Sequence, residues 1–279
     1  MIEENKLTDI GLIVVDELHM LSESSRGAIL ESLISKVLFL NKGVQVLGMS
    51  ATLPNIEDIS KWLNASVYSL EWRPVVLNEY LVVNNLMLNS KGELIKELCN
   101  FKLEDVMAEL IIEVIFAGKS VLIFCPSKDD CQQKALKLTN ILKQYYEREL
   151  IETKREERDI LIRKMENVNE KLDPVFKQCI PYGIVYHNSS LATEERILIE
   201  DAFKQRTVNI VFSTSTLAAG VNMPAQRVLL LGLRMGTDKL SVKQYKQMIG
   251  RAGRAGLDDI GESFLLVDGK EKKEALKLM

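Results

Sequence analysis

The sequence predicts an α/β protein of two units, each organised around a parallel sheet. Three features carry this reading. Short, continuously apolar runs rich in β-branched residues recur along the chain, the pattern of strands buried on both faces. Stretches with apolar residues at helical spacing alternate with them. Polar residues gather where the apolar runs stop, which is where open parallel sheets bind ligands. A chain of 279 residues has room for about two domains of roughly 150 residues each.

The first apolar run, Gly11, Leu12, Ile13, Val14 and Val15, stops at Asp16-Glu17. Residues 26–40 carry Ile29, Leu30, Leu33, Ile34, Val37 and Leu38 at helical spacing. A second run at 44–49 stops at Ser50-Ala51-Thr52, which completes a strand–helix–strand unit. Asn55, with Asp58 behind it, reads as the N-cap of a helix bearing Ile59, Trp62 and Leu63. Arg73-Pro74 breaks the pattern and an alternating segment follows to Val83. The first unit is therefore placed at 1–72 and the second at 73–279.

In the second unit, 104–116 reads as a helix and 121–125 as a buried strand. Ser127 with Asp130 forms a capping box for the helix beyond. Further strands are expected at 184–186, 209–212, 228–233 and 263–267, with helices at 194–203 and 242–249. Residues 147–158 are almost wholly charged, and the stretch ends at Asp173-Pro174. The region near 145–173 is expected to be a solvated, charged helix protruding from the domain.

A hydrophobic fraction of 47% with 27% charged residues excludes a disordered or collagen-like chain. No apolar run approaches the roughly 18 residues of a membrane span, and the polar start carries neither a secretory nor a transit pattern. Cys99, Cys125, Cys131 and Cys179 lie at no C-x-x-C spacing, and His19 and His187 do not complete a zinc set with them. The cysteines read as thiols of a reducing compartment. A formal charge of −3 gives no bulk attraction to a polyanion, so any grip on nucleic acid must be local.

The chemistry concentrates in four strings. Asp16-Glu17-Leu18-His19 follows a buried strand, where one acid can hold Mg²⁺ and its neighbour can orient an attacking water. Ser50-Ala51-Thr52 lies one βαβ unit later. Residues 247–256, Gln-Met-Ile-Gly-Arg-Ala-Gly-Arg-Ala-Gly, set Arg251 and Arg254 among glycines, which lets guanidinium groups approach phosphates with little obstruction. Residues 214–224 read Thr-Ser-Thr-Leu-Ala-Ala-Gly-Val-Asn-Met-Pro.

In order and spacing these strings resemble motifs II, III, VI and V of the superfamily-2 DExH helicases, with 121–127 where motif IV would lie. Arg26-Gly27, Gly48-Met49-Ser50-Ala51-Thr52, Arg73-Pro74-Val75, Phe124-Cys125-Pro126-Ser127 and Gly261-Glu262-Ser263 resemble the branch of helicase POLQ-like proteins and the helicase portion of DNA polymerase theta. The resemblance spans residues 8–268. It implies two RecA-like domains, the first truncated on its N-terminal side, and ATP and Mg²⁺ as cofactors. Its other implications are a DNA substrate (single strand or fork), 3′-to-5′ movement, a place in nuclear DNA repair with repair proteins as partners, and no membrane.

Carried over by position, Asp16 would help hold Mg²⁺-ATP and Glu17 would activate the water. Ser50 and Thr52 would couple hydrolysis to domain movement. Gln247, Arg251 and Arg254 would reach the nucleotide from the second domain, with Arg254 as arginine finger. Gly220 and Asn222 would lie near the nucleotide, Thr214 on the nucleic-acid backbone, and His19 between the nucleotide site and motif III or VI. The tract Tyr186-His187-Asn188-Ser189-Ser190-Leu191 departs from the family's His-His-Ala/Ser-Gly-Leu, with Asn188 for the second His and Ser190 for the Gly, which weakens a phosphate contact there.

The family's P-loop, G-x-x-x-x-G-K-[ST], does not precede Asp16. Gly118-Lys119-Ser120 mimics its tail, but Glu113 stands where the first glycine belongs and the triplet precedes a strand. The sequence therefore reads as a truncated helicase, inactive alone, with a sheet edge or face left uncovered. Alternatives are a catalytically inactive chain that binds DNA or a partner, and an RNA helicase of the same superfamily.

Overall fold

In a computed structural model of the protein, the residues described are 10–22, 27–40, 43–50, 53, 55–70, 73, 75–144, 154–169, 171–217, 223–253, 256 and 258–279. The chain divides into two compact units, 1–72 and 73–279. Each contains parallel strands joined by helical crossovers, the expected α/β class.

In the first unit, β1 (Leu12–Val15) and β2 (Gln45–Gly48) pair in parallel, with Val15 opposite Gly48. Helix α1 (Gly27–Leu40) is the crossover between them, and α2 (Ile56–Leu63) follows. Val15, Leu18, Ile34, Ile59 and Leu63 form a small core. Asn55 is the N-cap of α2 by position, but its side chain makes no capping hydrogen bond. Its carbonyl accepts from the amides of Asp58 and Ile59 instead.

The second unit holds an eight-stranded sheet in the order β5-β4-β3-β12-β9-β6-β8-β7. Its strands are β3 (Val76–Val83), β4 (Leu86–Asn89), β5 (Leu94–Glu97), β6 (Val121–Phe124), β7 (Ile184–His187), β8 (Ile210–Ser213), β9 (Arg227–Leu231) and β12 (Ile260–Val267). All pairings from β3 to β7 through β12 are parallel, and β4 and β5 add an antiparallel margin. Strands β6 to β9 are buried at every position, which is why they read as unbroken apolar runs.

The helices are α3 (Leu103–Phe116), α4 (Lys128–Leu142), α5 (Arg155–Val168), α6 (Pro174–Cys179), α7 (Thr193–Lys204), α8 (Val242–Ile249) and α9 (Lys272–Leu278). Ser127 caps α4, its hydroxyl accepting from the Asp130 amide at 3.1 Å. A short hairpin, β10 (Arg234–Met235) with β11 (Asp238–Lys239), follows β9. The triplet 118–120 lies in the turn from α3 into β6, with no strand before it to make it a phosphate loop.

The charged stretch departs from the sequence expectation. Within its described part, α5 does not protrude as a solvated rod; it packs against α7 and buries Arg158, Leu161 and Met165. A solvated helix would leave Arg158 in water, yet its guanidinium donates to the carbonyls of Thr207 (3.0 Å) and Pro181 (2.9 Å). A buried guanidinium can be tolerated when it satisfies carbonyls that folding has removed from water. Residues 145–153 of that stretch lie outside the described residues.

Candidate functional site

The acidic string forms a fixed turn at the carboxyl end of β1. Its backbone is tied to β2: the Met49 amide donates to the Val15 carbonyl and the Leu18 amide to the Met49 carbonyl, both at 2.8 Å. Asp16 accepts the Glu17 amide on Oδ1 at 2.8 Å. Glu17 lies in the left-handed region at φ 52°, which an L residue adopts at a cost. That conformation turns the chain sharply, leaving both acids exposed while Leu18 and His19 are buried. The buried His19 places its Nδ1 3.1 Å from Glu17 Oε2. Ser50, also exposed, lies just beyond β2 at the same sheet end. Asp16, Glu17, His19 and Ser50 are thus brought together at one edge; Thr52 lies outside the described residues.

The arginine string follows α8 and is held at the opposite edge of its sheet from Thr214. Ser241 caps the helix through the Gln244 amide at 3.2 Å. Beyond Ile249 the chain turns and pairs with the segment leading into β9: the Ala225 amide donates to the Arg251 carbonyl (2.9 Å), and the Gly253 amide to the Ala225 carbonyl (2.7 Å). Gly253 has φ 83°, and a Cβ on it would lie 2.5 Å from Val75 Cγ1. A Cβ on Gly261 would meet the Ala252 carbonyl carbon at 2.6 Å. Glycine is required at both because the loop backbone lies directly on β3 and β12.

Ala225 precedes the first residue of β9, whereas Thr214 follows the last residue of β8. Register carries the end of β8 through Phe124 to Leu230, so the two places are separated by most of the sheet, about 20 Å at the usual rise per residue. Gln247 and Arg251 belong to the amino edge and are part-buried, and Thr214 belongs to the carboxyl edge. Gly220, Asn222 and Arg254 lie outside the described residues.

At the carboxyl end of β7, His187 is 2% exposed and its Nε2 lies 3.3 Å from Glu200 Oε1. Burial pushes the His187 pKa down, and Glu200 opposes that. Asn188 is fully buried, and its Oδ1 accepts from the amide and hydroxyl of Ser190. The two replacements that break the family tract therefore complement one another, Asn188 shaping the turn through Ser190.

Sequence reasoning missed Arg73 as a structural partner. Its Nη2 donates to the carbonyls of Ala252 (2.5 Å) and Ile249 (3.4 Å), on either side of Gly250-Arg251. The only sequence signal was the Arg73-Pro74-Val75 string, which carries a resemblance but no role. Among the described residues there is no group of three or more His, Cys, Asp or Glu side chains able to hold a metal. The exposed Asp16 carboxylate still suits Mg²⁺, which takes one or two carboxylates alongside nucleotide phosphates and water.

The profile of the DEAD/DEAH box helicase family matches residues 1–59, and that of the helicase conserved C-terminal domain matches 146–256. The chain thus carries sequence similar to both helicase models, each over part of its length. Along its length it is similar to Helicase POLQ-like of Homo sapiens, with 41% identity over 292 residues, covering 100% of this chain and 26% of that protein. It is 38% identical to DNA polymerase theta of Mus musculus over 311 residues, covering 100% of this chain and 12% of that one. It is 33% identical to the ATP-dependent DNA helicase Hel308 of Caldivirga maquilingensis over 278 residues, covering 95% of this chain and 35% of that protein. The chain thus spans about a third or less of each of these relatives.

Proposed function

We propose that this chain is motor sequence of an ATP-dependent DNA helicase that moves 3′ to 5′ along one strand and acts in DNA repair in the nucleus. The observation that carries the reading is the built arginine loop. Its backbone is fastened at the amino edge of the second sheet, while Thr214 stands at the other edge. This separation supports a division of labour, with ATP on the loop's edge and the DNA backbone on that of Thr214.

In this reading Asp16 binds Mg²⁺-ATP and Glu17, with His19 beside it, activates the attacking water. Gln247, Arg251 and Arg254 meet the triphosphate from the second domain, with Arg254 as the finger, and Gly220 and Asn222 border the nucleotide. Ser50 and Thr52 transmit hydrolysis to domain movement. Preorganised donors aimed at developing phosphate charge supply most of the rate enhancement in such sites. The acids and the arginines act on one nucleotide, and differential affinity for ATP and its products becomes stepping. A phosphate loop supplied ahead of residue 1 would complete the cradle.

The test compares the 279-residue chain with a form extended through that loop. The short chain is expected to show no DNA-stimulated ATPase. In the extended form Glu17→Gln abolishes turnover, and Arg254→Ala lowers it by about 10³-fold or more. A loss below about tenfold would assign the finger elsewhere. Robust turnover by the short chain, abolished by Glu17→Gln, would overturn the need for the loop. DNA binding with no turnover in either form would establish the inactive binding chain instead, and preferential unwinding of RNA duplexes would replace DNA as substrate.

A further inference from the structure

We infer that Arg73 is a positioning residue for the ATPase reaction, holding the backbone around Arg251 together with Ala225. The inference rests on the reading of Arg251 as a nucleotide-facing residue. Arg73 is the first residue of the second unit. Its guanidinium bonds the carbonyls of Ile249, the last residue of α8, and Ala252. The Ile249 carbonyl also accepts the Ala252 amide at 3.0 Å, so Arg73 adds a second donor at the end of the helix, where the dipole favours a cation. Both bonds leave one nitrogen, Nη2, so a single terminal amino group joins the two carbonyls.

The loop is consequently gripped twice. Ala225 takes the Arg251 carbonyl and the Gly253 amide, and Arg73 takes the carbonyls that bracket Gly250-Arg251. Val75, two residues after Arg73, packs where a Cβ on Gly253 would stand. Glu79 on β3 ties this corner to α8: its Oε2 accepts the hydroxyl of the buried Tyr245 at 2.7 Å. Burial works against the Arg73 charge, and the Glu79 carboxylate offsets that cost. A backbone displaced by about 1 Å at a phosphate-facing arginine is enough to lose a large part of its effect. Arg73 thus connects the start of the second unit to the loop on which the chemistry depends.

The test is a double-mutant cycle in the ATP-hydrolysing extended form, with hydrogen exchange read on the same proteins. Arg73→Ala is expected to lower kcat at least about tenfold, with little change in the KM for ATP, and to speed amide exchange at 251–253 by a similar factor. Exchange in β6 and β9 should not change. With Arg251→Ala already present, Arg73→Ala should add less than about twofold, because both act through one loop. Multiplicative losses, or unchanged exchange at 251–253, would overturn the inference. If Arg251→Ala leaves turnover intact, the nucleotide-facing reading of Arg251 falls, and exchange at 251–253 alone decides whether Arg73 holds the loop. Should the alanine variant fail to fold, Arg73→Met, which keeps an apolar stem and loses every donor, is carried through the same cycle with the same criteria.

Discussion

Glu17 shows how one backbone angle can make a site. In the left-handed region an L side chain costs of order 1–3 kcal/mol, and the Leu18–Met49 hydrogen bond fixes the turn there. The strand-end acids were legible in the sequence, because a run of β-branched residues that stops at two carboxylates marks a strand end, although β1 is buried only at Val15 and not on both faces as expected. The approach of His19 to Glu17 was not, because it depends on that turn. His187 is a second case. Burial lowers its pKa from the ordinary 6.5, so the unfolded chain takes up this proton more readily than the folded one. The associated stability is present above about pH 6.5 and is lost as pH falls through the folded value. We expect the drop in unfolding free energy between about pH 7.5 and pH 5.5 to be smaller in His187→Gln than in the parent, measured by urea denaturation. Equal drops would show that His187 does not carry the titration.

At the scale of elements, the buried parallel strands were readable from continuous apolarity, and α8 from its spacing. The marginal strands β4 and β5 and the β10–β11 hairpin were not, because short strands with polar neighbours leave only a weak pattern. The charged stretch misled for a different reason. Charge density reports average solvation, whereas the helix docks through one narrow face, Arg158 with Leu161 and Met165. Arg158→Ala removes the donor from two carbonyls in a buried setting, each costing roughly 1–3 kcal/mol if left unsatisfied. Urea denaturation should show a loss of about 2 kcal/mol or more, with Arg158→Lys recovering only part of it. A change within about 0.5 kcal/mol would return α5 to the class of solvated surface helices.

For the molecule as a whole, the two units differ in how well they cover themselves. The second sheet has helices over its buried strands and one extensive core. The first rests on two strands, and Leu12, Val14, Leu33 and Leu47 are each about half exposed. A cavity of about 430 Å³ lies among α1, β1 and β2, lined by Ile13, Leu30, Ile34 and Val46. Two strands and one crossover helix are marginal by themselves. Residues 73–279 produced alone are therefore expected to unfold in one cooperative urea transition and to remain monomeric by size-exclusion chromatography. Residues 1–72 alone should self-associate through the uncovered apolar face. A monomeric, cooperatively folded 1–72 would refute that picture.

The sequence by itself determined the class, the order of the motifs and most strands, because apolar periodicity and strand-end chemistry are local properties written in neighbouring residues. It also carried the family resemblance through strings that need no coordinates. Only the tertiary structure decided which edge of the second sheet holds Thr214 and which holds Arg251, and that Arg73 bonds carbonyls 176 and 179 residues away. Those relations depend on crossovers and register, and a contact between residues far apart in the chain leaves no periodic trace in the segments that make it.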